Sequence, residues 1–166
     1  MDEKTIVVKK SVNADSRSAP QPPTEQELTK ATKSHIEDVM KGMKWFADKL
    51  VDAGLKHDNT KISNMLEFHK ALTGGEIKKT DWYEEHITKE RHHLKSKCPD
   101  DVTLVDVIEH IIDCTMAGLT RTGEVYDVDI DERILSKAVE NTVELLKKNT
   151  KVVKESTDIL DELINS

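Results

Sequence analysis

Gly54-Leu55-Lys56-His57-Asp58-Asn59-Thr60-Lys61 is the stretch on which the reading of this chain turns. Before it runs a long apolar stripe at helical spacing that Gly54 is placed to stop, and after it Ile62, Met65, Leu66 and Leu72 resume that spacing up to Gly74-Gly75. The stretch therefore reads as a junction between two helices. Within it His57 and Asp58 offer an imidazole nitrogen and a hard carboxylate side by side, donors suited to Mn, Zn, Fe, Co or Ni. Asp58 alone is equally well explained as the N-cap of the second helix, but that explanation leaves His57 and Lys61 without a role.

Upstream, Thr24-Glu25-Gln26-Glu27 has the form of a capping box. Leu28, Ala31, Ile36, Val39, Met40, Met43, Phe46, Ala47, Leu50 and Val51 then recur at three- and four-residue steps, which predicts a helix of roughly 30 residues. His35 sits at the edge of that apolar stripe and is either a half-buried helical histidine or a ligand. Residues 1–23 are polar and lead into Ala-Pro-Gln-Pro-Pro, so an extended or disordered leader is expected. Thr5-Ile6-Val7-Val8 has strand character, but no partner strand is evident.

Downstream, Thr80-Asp81 caps a third predicted helix, continued to Cys98-Pro99. Trp82, His86, Glu90 and His93 fall on one stripe of it, with His92 beside them. The competing explanation is a solvated face, since Lys89, Arg91 and Lys95 lie on the same helix. Asp101 or Thr103 caps a fourth helix, the most apolar run in the chain, along which Asp106, Glu109, His110 and Asp113 form a polar strip. Buried carboxylates are costly unless they are paired or bound to metal, so this strip is either functional or simply solvent-facing. Arg121 to Ile130 reads as a connector. Residues 131–165 read as a final helix whose doublets Ala138-Val139, Leu145-Leu146, Val152-Val153 and Ile159-Leu160 repeat in sevens, suited to packing on the domain or on another subunit.

Composition narrows the functional classes. With Lys+Arg 25 against Asp+Glu 32 the net charge is −7 and the body has no basic block, which disfavours capture of duplex nucleic acid or an anionic membrane. A small anionic ligand is compatible if a metal supplies positive charge. No segment approaches the roughly 18 apolar residues of a membrane span. Cys98 and Cys114 have no CxxC spacing, so a reducing cytoplasm is expected. At 166 residues the chain fits one domain with extensions.

His35, then His57-Asp58, then His92-His93, then Asp113, in that order on successive predicted helices, resemble the HD-domain superfamily of metal-dependent phosphohydrolases, and VDVIEHIIDCTMAG is similar to short phage and bacterial HD-like proteins. The resemblance implies an all-α, HD-domain-like helical bundle over residues 24–125, with the long heptad-patterned helix appended. It implies a divalent transition metal held by His35, His57, Asp58 and Asp113. His57-Asp58-Asn59-Thr60-Lys61 has the HDxxK form, in which the lysine lies beside the scissile phosphate, so Asp58 and Lys61 are the implied catalytic residues. His86 with His92 or His93 would hold or support a second metal, with Asp106 and Glu109 fixing imidazole tautomers. The implied substrate is a nucleotide or related phosphate ester, although no GYP-type motif follows His92-His93. Two alternatives share these residues: a di-iron oxygenase, and a non-catalytic bundle that binds a nucleotide or protein, self-associating through its C-terminal helix.

Overall fold

The computed structural model describes residues 5–95 and 97–154. Their order is β1 (Ile6–Lys10), α1 (Glu25–Lys56), α2 (Asn59–Ser63), α3 (Met65–Thr73), a 3-10 turn (Ile77–Lys79), α4 (Asp81–Lys89), α5 (Leu104–Thr122), α6 (Glu132–Lys148) and β2 (Thr150–Lys154). The protein is mostly helical, with one small parallel sheet.

Local capping chemistry sets the helix starts. Thr24 and Glu27 form the expected box at α1, each satisfying the other's backbone or hydroxyl donors. The Thr80 hydroxyl accepts from Tyr83 N–H at α4. Thr103 and Asp106 form a second box at α5. At the far end of α5, Gly123 adopts the left-handed conformation (φ 79°) that closes the helix, and the connector begins there.

The described residues gather into two compact units. One comprises those up to Ala47 and from Leu145 onward; the other is Asp48–Glu144. In the first unit β1 pairs with β2, Ile6 opposite Thr150 and Val8 opposite Val152. This corrects two expectations. The strand-like stretch in the leader does have a partner, and the C-terminal helix stops at Lys148 instead of continuing its heptads. Val152-Val153, read as a heptad doublet, is β-branched, and such side chains favour the pleated ladder over a helix. The remaining heptad positions, Ile159-Leu160 and Leu163, lie outside the described residues.

In the second unit Leu94, Val102, Val107 and Ala138 form the core, with Cys98, Leu104, Ile130 and Ile134 packed against it. The α6 residues of this unit lie on the start of α5. The buried Thr142 hydroxyl accepts from Leu104 N–H at 2.8 Å, satisfying a donor that a helix start leaves unpaired, and donates to Ala138 C=O. Asn141 donates to Val102 C=O at 2.8 Å.

Two further helices depart from expectation. The segment after Asp58 is broken at Asn64 (φ −130°, ψ 47°) into α2 and α3. The third predicted helix ends at Lys89, because Glu90 turns extended (φ −82°, ψ 110°) and commits its carboxylate to α2. His92 and His93 therefore lie beyond the helix, His92 in a turn and His93 in the irregular segment after it.

Candidate metal centre

The site is built in the Asp48–Glu144 unit around the link between α1 and α2. Gly54 does not stop α1. The helix runs on to Lys56, and Asp58 makes the left-handed turn (φ 55°, ψ 25°) that ends it. Aspartate is among the few non-glycine residues that tolerate this region. Although Asp58 occupies the N-cap position of α2, its side chain makes no capping bond. Its carboxylate pairs with Lys61 instead and faces three imidazoles. His57 Nε2 lies 3.5 Å from Oδ2, while His86 Nε2 and His92 Nε2 lie 3.5 Å and 3.9 Å from Oδ1. Oδ1 is buried and has no hydrogen-bond partner.

Other elements complete the cluster. α5 contributes Asp113, whose Oδ1 is 3.5 Å from His57 Nε2. α4 contributes His86, and the turn after it His92 and His93, with His93 Nε2 3.1 Å from His86 Nε2. Two sets of donors fall within mutual reach of a single ion: His57, His92 and Asp113, and Asp58, His92 and His93. At metal–nitrogen distances of about 2.1 Å, neighbouring donors in tetrahedral or octahedral sites sit about 3.0–3.4 Å apart. The spacings here already approach that. The rings are packed against one another, His57 on His92 with centroids at 4.3 Å and His92 on His93 at 4.4 Å. Beside His86 the Trp82 indole lies nearly parallel at 5.0 Å, and Phe68 stacks on Trp82.

Second partners hold the Nδ1 atoms of His57 and His86. His57 Nδ1 donates to Glu109 Oε1 at 2.9 Å, which leaves Nε2 toward the carboxylates. His92 Nδ1 is 3.2 Å from the same oxygen but outside hydrogen-bonding geometry. His86 Nδ1 is 2.6 Å from the Thr60 hydroxyl. Glu109, named from the sequence as a candidate for fixing an imidazole tautomer, thus contacts two of the histidines. Asp106 does not touch a histidine: it caps α5 and holds Arg91, the residue before the His92-His93 pair.

Electrostatics divide the histidines. Burial pushes His93 down to about 4, with His92 and His86 adding to the effect, and burial likewise lowers His86. His92 is also opposed by burial, yet Glu109, Asp58 and Asp113 hold it above the ordinary imidazole value. Asp58 and Glu109 both resist the upward push of burial and end below the ordinary carboxylate range, Asp58 through Lys61 and Glu109 through His92 and His57.

No family model, curated protein or solved structure matches this chain.

Of the residues singled out from sequence, the structure brings together His57, Asp58, Lys61, His86, His92, His93 and Asp113. His35 falls in the other unit, where its Nδ1 lies 3.5 Å from Asp15 Oδ2, and it belongs to neither donor set. Two residues of the site have no role assigned by sequence pattern: Thr60, between Asp58 and Lys61, and Glu90, one member of a helical stripe. The i, i+4 spacing of His86 and Glu90 was the available signal, since it puts a carboxylate one turn from a candidate ligand.

The donor set could hold a metal ion: imidazole nitrogens, His57 and His86 among them with the other ring nitrogen tied back, two carboxylates, and one buried carboxylate oxygen lacking any partner.

Proposed function

We propose that the Asp48–Glu144 unit is a metal-dependent phosphohydrolase centre, with the ion held by donors drawn from His57, Asp58, His86, His92, His93 and Asp113. The observation that carries the reading is the buried, unpartnered Asp58 Oδ1 facing the Nε2 atoms of His86 and His92. A buried carboxylate oxygen without a donor costs about 1–3 kcal/mol or more, and a cation at this point removes that cost. When bound, the ion supplies Lewis acidity toward a phosphoryl oxygen and lowers the pKa of water.

The chain's own residues do the rest. Asp58 and Asp113 orient donors and offset the ion's charge. Glu109 keeps the proton on His57 Nδ1. Lys61, paired with Asp58 and only partly exposed, is placed to neutralise charge on an anionic ligand entering beside that carboxylate. The HDxxK form supports this role for Lys61, with His35 outside the cluster, and the substrate class the reading favours is a nucleotide or other phosphate ester.

The test combines elemental analysis of protein purified without chelator with phosphate release across a nucleotide and phosphomonoester panel. Wild type should carry stoichiometric divalent metal and release phosphate from at least one substrate. Asp58→Asn, which retains tolerance for the left-handed backbone, should lose both. A wild type free of metal after reconstitution, or an Asp58→Asn protein as active as wild type, sinks the proposal. Two irons per chain with oxygen uptake and no phosphate release would replace hydrolysis by oxygenase chemistry.

A further inference from the structure

Thr60 is gripped twice by one oxygen. Its backbone N–H donates to Glu90 Oε1 at 2.8 Å and its hydroxyl lies 2.6 Å from the same atom. Glu90 and His86 are both buried. The backbone bond has an evident structural purpose. Asp58 leaves the start of α2 uncapped, and Glu90 supplies the missing acceptor from thirty residues away. The hydroxyl bond has no such purpose, because Thr60 would be anchored without it.

Counting protons around that hydroxyl gives its use. A carboxylate accepts, so the single hydroxyl hydrogen of Thr60 is spent on Glu90. Thr60 Oγ1 then has only lone pairs to offer His86 Nδ1 at 2.6 Å, and a bond this short requires Nδ1 to carry the proton. A neutral imidazole protonated at Nδ1 presents a lone pair at Nε2. That atom faces the cluster, 3.1 Å from His93 Nε2 and 3.5 Å from Asp58 Oδ1. The nearly parallel Trp82 ring restricts the plane of the imidazole.

We propose that Thr60 and Glu90 are positioning residues for the metal centre: Glu90 orients the Thr60 hydroxyl as a pure acceptor, and Thr60 thereby fixes His86 in the tautomer whose Nε2 is a ready metal donor. The inference rests on the metal-centre reading for its purpose, but the tautomer is a property of the metal-free protein. Glu109 does the same for His57 directly. At His86 the carboxylate acts through an intervening hydroxyl, which lets it cap α2 and set an imidazole with one oxygen.

The experiment reads the tautomer itself. In the ¹⁵N-labelled full chain, stripped of metal by chelator, two-bond imidazole correlation spectra at neutral pH should show His86 protonated at Nδ1 and bare at Nε2. Thr60→Val keeps the backbone bond to Glu90 and should shift His86 toward the Nε2–H form, whereas Thr60→Ser should restore the wild-type pattern. In Co²⁺ titrations Thr60→Val should bind about 10- to 100-fold more weakly than wild type, with Thr60→Ser close to wild type. A wild-type His86 carrying its proton on Nε2, or a pattern unchanged in Thr60→Val, overturns the proposal. A wild type with the expected tautomer that takes up no Co²⁺ overturns the metal reading and the donor role with it, while leaving the Glu90–Thr60–His86 relay standing.

Discussion

The Arg91 guanidinium clasps the Asp106 carboxylate with two bonds, Nε to Oδ1 at 2.7 Å and Nη2 to Oδ2 at 3.0 Å. It reaches further to the Asp101 carboxylate and carbonyl. The turn that carries His92 and His93 is thereby pinned to the first turn of α5, the helix that carries Glu109 and Asp113. Lysine cannot reproduce a planar two-point contact. Arg91→Lys should therefore lower the stability of the metal-free protein by about 1–2 kcal/mol, and Asp106→Asn, which also weakens the capping box, by about 2–3 kcal/mol. Urea unfolding monitored by circular dichroism checks both, and equal midpoints for wild type and Asp106→Asn would refute the assignment.

Glu109 holds His57 Nδ1 and stands 3.2 Å from His92 Nδ1. Glu109→Gln keeps the size but offers an amide that can turn its N–H₂ toward the imidazoles. Loss of such an outer partner typically weakens metal binding about 10- to 100-fold. Calorimetric titration with Mn²⁺ or Co²⁺ should show this loss while the far-UV spectrum stays unchanged.

Stability of the metal-free protein should depend on pH along two arms. His93 is depressed to about 4, so between its ordinary 6.5 and about 4 the unfolded chain takes up a proton that the folded protein refuses. Stability should fall as pH drops through that window, by at most about 3.4 kcal/mol before solvent screening. Asp58 and Glu109, also depressed, add to the acid-side loss at lower pH. His92 is raised, so its contribution is complete below the ordinary imidazole value and is lost as pH rises through its folded value. Denaturation midpoints across pH 4–9 should thus pass through a maximum, and His93→Gln should flatten the acid arm. An acid arm equally steep in His93→Gln would contradict this account.

Gly118 lies where the connector crosses α5. A Cβ there would run into the Glu124 carbonyl oxygen and stand 2.6 Å from Tyr126 N, both backbone atoms that cannot swing aside. Gly118→Ala should destabilise the protein by about 1–3 kcal/mol. Gly42, inside α1 with nothing within 4 Å of a built Cβ, should respond with the opposite sign, Gly42→Ala gaining up to about 1 kcal/mol. Thermal unfolding of the two variants side by side tests the contrast.

What was legible in the sequence was local. Thr24, Thr80 and Thr103 mark helix starts because a cap involves only residues within one turn, and the donors of the cluster were legible as residue types in a particular order. What escaped was decided by distant partners. Val152-Val153 fits a heptad until Val8 is found opposite, and the helix through His93 is interrupted because Glu90 answers a demand made by Thr60. Thr60 itself was invisible, since a threonine between two charged residues has no pattern to betray it. The left-handed turn at Asp58 shows the same limit, with Gly54 the obvious candidate and the less obvious residue taking the conformation.

The pairing of β1 with β2 has a kinetic side. Ile6 meets Thr150 across most of the described chain, whereas each helix is assembled from neighbours in sequence. The entropy of closing so long a loop must be met before any ladder bond forms, so contacts of this order are made late and slowly. Helices can appear within microseconds; the two strands wait for the intervening chain to condense. The small sheet is therefore expected to form late: Ile6 N–H on Asn149 C=O sets a register in which Val8 N–H faces β2, and pulse-labelled amide exchange during refolding should show Val8 protected after the helices.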